Sequence, residues 1–420
     1  MLKKWIEAGK VYADKRMIVM ILLGFSSGFP GALVGSTLSL WLKKMHISSQ
    51  TIGLFSLIKV PYSFKWMWAP IIDNIQIPFL CKLGRRRSWG IATQVMLISF
   101  ILAMSQVNPA TNLWLLAVFG FFVVIASASQ DIVLDAYRVE SFSEKEQGAG
   151  TAIFILGYRI GMIFSGAGAL YLATTIGWNS VYIVMSLGAL VGLFTMLFIT
   201  EKSIPLKRKY KGTKKQRFLL FFRNSIIAPF ADFMQKSRWQ IILLFIFLYK
   251  MSDAYMGPMV YVFYDDIGFT ELEIAKISKI YGMGATIFGG IIGGLIASRY
   301  DVMKTLLIGG ILQGLSNLMF AAQAHVGHNI DFLTLTITIE NVAGGIGTAA
   351  FVAYLASMCN PLYTATQYAL LSSFMTLLRD VVAASSGYLA SVVSWEVFFI
   401  ITSFMAIPGL LLLPFLKQRK

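Results

Sequence analysis

The chain has 420 residues, of which 57% are hydrophobic and only 13% charged, and its mean hydropathy is +0.70. This balance lies outside the range of water-soluble globular domains. The formal net charge of +16 then reads as the orientation signal of a membrane protein and not as a nucleic-acid-binding surface.

Twelve apolar runs follow one another along the chain, at about 17 to 42, 50 to 72, 88 to 107, 111 to 137, 148 to 174, 178 to 199, 239 to 264, 271 to 297, 302 to 324, 330 to 357, 364 to 391 and 393 to 416. As helices, each is long enough to cross a hydrocarbon core about 30 Å thick. Barrel strands would be shorter and would alternate in polarity. The basic N-terminus "MLKKWIEAGKVYADKR" precedes an apolar run too long for a signal-peptide core, so it is expected to be retained as the first helix.

An even number of spans puts both termini on one side. Of the 36 Lys and Arg, the opposite loops hold only Lys43 and Lys44, which predicts cytoplasmic termini. Cys81 and Cys359 then fall in cytoplasmic loops, where no disulfide is expected. His46, His325 and His328 fall in external loops, so neither a metal site nor histidine catalysis is expected.

The longest polar interruption contains "KRKYKGTKKQR". It divides the chain into an N-terminal bundle (1–200), a cytoplasmic linker with a candidate interfacial helix (201–238) and a C-terminal bundle (239–420). The halves also resemble each other. The fifth run aligned on the eleventh places Arg159 and Arg379 near the membrane midplane, and "APIIDN" through "LGRRR" after the second run has a counterpart in "GGLIASRYDVMK" after the eighth. The fold class expected is all-α, with twelve transmembrane helices in two six-helix bundles around a central cavity.

Ionisable side chains inside the runs argue for that cavity. Lys59, Lys65, Asp131, Asp135, Arg159, Lys250, Asp253, Glu340, Arg379 and Asp380 all lie at membrane depth. At roughly 3 kcal/mol each, leaving them in lipid would cost on the order of 30 kcal/mol, more than a typical folding margin of about 5 to 15 kcal/mol. They must therefore face one another or water.

Asp131, Asp135 and Arg138 share one face of the fourth helix by their i, i+4 and i+7 spacing. Two readings of this face stand. In one, Asp131 takes up and releases a proton, with Asp135 assisting. In the other, Asp135 pairs with Arg138 at the helix end and Asp131 pairs with Arg159. Lys250 and Asp253 are either a local i, i+3 pair or ligand groups beside the helix-breaking Gly257-Pro258. Glu340 is an isolated acid that either couples protons or neutralises Arg379 or Lys250. Lys59, Arg159, Lys250 and Arg379 would attract carboxylates or phosphates, and tyrosines including Tyr62 and Tyr158 would stack on sugars. Glycine pairs such as Gly289-Gly290, Gly293-Gly294 and Gly344-Gly345 are expected to allow close helix contact. No nucleophile and base stand at a convincing spacing for a membrane-embedded transferase.

The strings "GLFSLIKVPYSFKWMWAPIID", "LGRRRSW", "SQDIVLDAYRVE", "EQGAGTA" and "ATQYALLSS" together resemble the AmpG-type muropeptide permeases. These form a branch of the major facilitator superfamily that is also similar to acetyl-CoA transporters. The resemblance runs over nearly the full chain in order and spacing. It implies a proton-driven importer in a Gram-negative inner membrane, carrying N-acetylglucosaminyl-anhydro-N-acetylmuramyl peptides inward for wall recycling. It implies a polar site at Gln130, Asp131 and Asp135, and a second at Gln367. It also implies a cytoplasmic gate built from Asp73, Arg85, Arg86 and Arg138, with Arg299 and Asp301 in the second-half copy "GLIASRYD". The gate's usual compact spacing is stretched here by "NIQIPFLCK". The substrate implied is an acidic glycopeptide, or another anionic solute. A monomer working with protons, in lipid, with no cofactor and no nucleic acid is expected.

Overall fold

The structure is a computed structural model. It describes residues 9–201 apart from Glu144, the isolated positions Leu220 and Arg223, and residues 227–416 apart from Pro258; within helices, the side chains at some positions, including Cys81, Arg379 and Asp380, are not described.

Among the described residues, ten helices are long and apolar enough to cross a membrane. They are α1 (Lys15–Lys44), α3 (Arg85–Ser105), α4 (Leu113–Ser141), α5 (Gln147–Ile176), α6 (Trp178–Phe198), α7 (Trp239–Asp266), α8 (Leu272–Arg299), α9 (Val302–Val326), α10 (Ile330–Ser357) and α12 (Trp395–Leu416). The eleventh predicted span is α11, Thr364–Val392, one continuous helix of 29 residues that is richer in Ser and Thr.

The second span corrects the expectation of a single helix. It is α2, a chain of short pieces: Ser49–Phe55, the 3₁₀ turn Ser56–Lys59, Pro61–Phe64, the 3₁₀ turn Lys65–Met67 and Ala69–Asn74. Pro61 and Pro70 lack the N–H a helix interior needs, and each begins a new helical piece.

Local chemistry sets several helix starts. Asp14 accepts from Arg16 N at 2.8 Å before α1, and Asn329 accepts from Phe332 N at 2.9 Å before α10. Before α8, Thr270 and Glu273 bond each other's backbone N–H in a reciprocal box.

Each half contains a pair of helices in unusually close contact. A methyl on Gly157 would stand 2.1 Å from the Ile21 carbonyl oxygen, and one on Gly24 would stand 2.1 Å from that of Phe154, so α1 and α5 meet backbone to backbone. In the second half Gly289, Gly293 and Gly345 do the same for α8 and α10. Regular winding is interrupted in the parts of α1, α5 and α8 far from the termini, by π-helical turns at Leu33–Thr37, Phe164–Gly168 and Ala275–Tyr281. In α7 the winding breaks at Lys250 (φ −102°, ψ 3°) and again after Met256, beside Gly257.

Candidate functional site

The two halves touch tightly at the end that carries both termini. Asp73, at the close of α2, accepts from the Thr366 backbone N–H at 2.6 Å and from its hydroxyl at 2.7 Å. These groups lie in the first turn of α11, whose own N-cap residue Tyr363 does not cap the helix with its side chain, so the carboxylate caps a helix of the opposite bundle. The other Asp73 oxygen binds Arg86 at 2.8 Å. Arg86, fully buried, also reaches Glu140 at 2.6 Å, and Arg85 donates to the Asp73 carbonyl.

One layer deeper, Arg138 donates to Thr151 at 2.7 Å, to Asp135 at 3.1 Å and across the interface to the Tyr368 hydroxyl at 2.7 Å. The Tyr12 hydroxyl donates to the Ile291 carbonyl at 2.8 Å, and a methyl on Gly148 would meet Ala297 at 2.7 Å. This end is shut.

Towards the other end the halves part around a cavity of about 310 Å³. Arg159 of α5 lines it from the first half, and Asp253, Gln313, Glu340, Asn341 and Thr348 line it from the second. Lys250 Nζ binds Asp253 at 3.0 Å and Thr348 at 3.3 Å, and Gln313 donates to the same Asp253 oxygen. Asp253 is therefore both half of a local pair and part of the cavity wall, with Lys250 behind it. Glu340 accepts from Asn341 at 2.6 Å, and Asn341 is held in turn by Thr286.

The whole chain fits one known architecture. The model of the Major Facilitator Superfamily matches residues 20–275 and 242–420. The chain is 35% identical over 412 residues to "Putative transporter AmpG 4" of Rickettsia felis, covering 98% of both. It is 35% identical over 413 residues to the "Anhydromuropeptide permease" of Escherichia coli strain K12, covering 97% of this chain and 81% of that one. This chain belongs to the AmpG branch of the major facilitator superfamily. Its fold superposes on the Escherichia coli fucose:proton symporter with a TM-score of 0.70 at 12% identity, over 96% of this chain and 99% of that one.

Within this branch member, Asp131 accepts from Ser27 Oγ of α1 at 2.7 Å. It makes no ion pair with a described residue, and the pairing with Arg159 considered from the sequence is not formed. Asp135 does pair with Arg138, and lies 3.9 Å from Lys65. Tyr62 donates to Ser127 at 2.8 Å, and both Tyr62 and Tyr158 lie within electrostatic reach of Asp131. Lys59 is exposed and reaches back to α1, with Nζ 2.7 Å from where a methyl on Gly35 would sit.

Two residues expected at the substrate are placed elsewhere. Gln130 is fully buried, accepting from Gln94 at 2.8 Å and donating to the Ser26 carbonyl at 2.8 Å, so it ties α4 to α3 and α1. Gln367 is 1% exposed at the closed end, where it donates to Asp232 at 2.8 Å and to the Pro229 carbonyl at 3.0 Å. It thus pins the short helix Ala228–Met234, in the region expected to carry an interfacial helix, to α11. Asp301 caps α9, and Arg299 lies 5.2 Å from the Tyr300 ring. Glu340, considered as a partner of Lys250 or Arg379, makes no ion pair among the described residues. The side chain of Arg379 lies outside the described residues, as does Pro258.

Proposed function

We propose that this protein imports anhydro-muropeptides, N-acetylglucosaminyl-anhydro-N-acetylmuramyl peptides, from periplasm to cytoplasm across a bacterial inner membrane in symport with protons. The observation that carries this reading is the charged cavity between the halves, lined by Arg159 from one side and by Asp253 and Glu340 from the other. It lies away from an end sealed by Asp73, Thr366, Arg138 and Tyr368. The Escherichia coli relative, an anhydromuropeptide permease, supplies the cargo class. With the termini cytoplasmic, as the Lys and Arg distribution indicates, the cavity faces the periplasm and a loading state is described.

Asp131 is the proton site in this scheme. Its carboxylate is held by a hydroxyl and not by a cation, so proton uptake breaks no ion pair. It sits one turn, roughly 6 Å along the axis, from Asp135, which ties into the cross-bundle bonds through Arg138. Protonation would thereby bias which end of the passage is open. The carrier works as a monomer, without cofactor and without converting its cargo.

Uptake of a labelled anhydro-muropeptide into proteoliposomes under an imposed pH gradient tests this. Wild-type protein should accumulate it, and Asp131→Asn should lose gradient-driven accumulation while still exchanging cargo across the membrane. Asp131→Asn accumulation with unchanged pH dependence would remove Asp131 from the coupling role. Uptake of nucleotide-linked solutes in place of wall fragments would replace the cargo.

A further inference from the structure

Among the described residues, four charged side chains border or back the cavity, and two of them already neutralise each other. Lys250 and Asp253 stand at 3.0 Å, with Thr348 and Gln313 completing their bonds. Arg159 and Glu340 remain. Arg159 Nε is buried without an acceptor, and its guanidinium makes no ion pair with a described acid. The Glu340 carboxylate accepts from the neutral amide of Asn341. Lys279, over the Tyr261 ring at 3.9 Å, is exposed and so screened by solvent.

Opposite charges at part-buried positions of one cavity, unpaired among the described residues, leave each uncompensated where water screens it less than at the surface. They stay apart because α5 belongs to one bundle and α10 to the other. A solute with only an anionic group would satisfy Arg159 and leave Glu340 uncompensated. A neutral sugar would leave both. We infer that this cavity is a site for a zwitterionic end group, with Arg159 taking its carboxylate and Glu340 its ammonium, as on an amino-acid-like terminus.

The planar guanidinium fork matches a carboxylate, and an acid that already holds one amide donor has acceptor capacity left for an ammonium. Gln313 Oε1, buried and unpaired, adds an acceptor on the second-half wall. The inference deepens the import reading, since it assigns the cavity to the charged end of the peptide and leaves the sugars to the remaining passage.

The experiment uses the full chain and three probes. They are the anhydro-disaccharide peptide with a free amine and carboxylate at its end, the same compound N-acetylated, and the same compound with that carboxylate amidated. Competition against labelled uptake in proteoliposomes and thermal shift in detergent are read in parallel. Wild-type protein should prefer the zwitterion by at least about tenfold over either blocked probe, one charge-pair's worth of discrimination. Glu340→Gln should erase the penalty for acetylation but keep that for amidation, and Arg159→Gln should do the reverse.

Equal competition by all three probes in wild type overturns the inference and leaves import standing, and that arm needs no variant to fold. Uniform weakening of every probe by Glu340→Gln also overturns it. If no wall fragment is transported, the import reading fails, and equal or unequal thermal shifts by the same probes still decide the site.

Discussion

Asp73 has no exposed side-chain surface, and both its oxygens are used, one on Arg86 and one on the first turn of α11. Truncating it to Ala would leave Arg86 with Glu140 alone and uncap α11, a loss of about 3 to 5 kcal/mol for a buried pair. The expected result is a lower thermal midpoint in detergent together with faster labelling of cysteines placed at the termini end; an unchanged midpoint would mean the seal is held elsewhere. Resemblance marked Asp73 and Arg86 as gate residues, but the stretched spacing left their contact open. The inserted residues wind into the 3₁₀ segment Pro78–Leu83 and return the chain to Arg85 beside Asp73. Gln130 and Gln367 were not legible in this way. A glutamine at membrane depth has the same sequence signature whether neighbouring helices satisfy it or a ligand does, and here Gln94, Ser26, Pro229 and Asp232 are the neighbours.

The α1–α5 contact depends on glycines at both crossing points, so a larger side chain at Gly157 must push the Ile21 backbone aside. Gly157→Leu is expected to cost at least about 1 to 3 kcal/mol by overpacking and to lower the yield of folded protein. Gly166→Ala is the matched control, because its methyl would meet only Ala32 at 3.9 Å. The two are compared by thermal unfolding in detergent, and equal midpoints would show that the helices are not in close contact. Run length and hydropathy made most spans readable, but not the breaks. Proline signals the pieces of α2, and Pro30 precedes the π turn of α1, where Gly35 leaves helical geometry, whereas the break at Lys250 in α7 and the π turn in α8 have no proline or glycine within them. They arise from how the helices pack, which a single sequence does not display.

The molecule is closed at one end and hollow towards the other, and this asymmetry predicts a labelling pattern. In a background with Cys81 and Cys359 replaced, Gly344→Cys, on the cavity wall, should react with a membrane-impermeant maleimide added to the side opposite the termini, and cargo should protect it. Ala149→Cys, packed against Gly294 across the seal, should stay unreactive from either side until cargo and a proton gradient are supplied together. Reaction of Ala149→Cys at rest would show that the termini end is not shut. The two-bundle plan was readable from internal similarity and charge distribution. The distribution of charge between the walls was not, because the sequence does not say which of ten membrane-depth ionisable groups meet.

Arg159 rides on α5, which is locked to α1 through facing glycines, and Glu340 rides on α10, which is locked to α8 in the same manner. Each charge is thus fixed to its own half, so any rocking of one half against the other would change the gap between them. A molecule gripping both would act as a tie-rod whose length favours one degree of tilt, so cargo that is too long or too short would be held without being delivered.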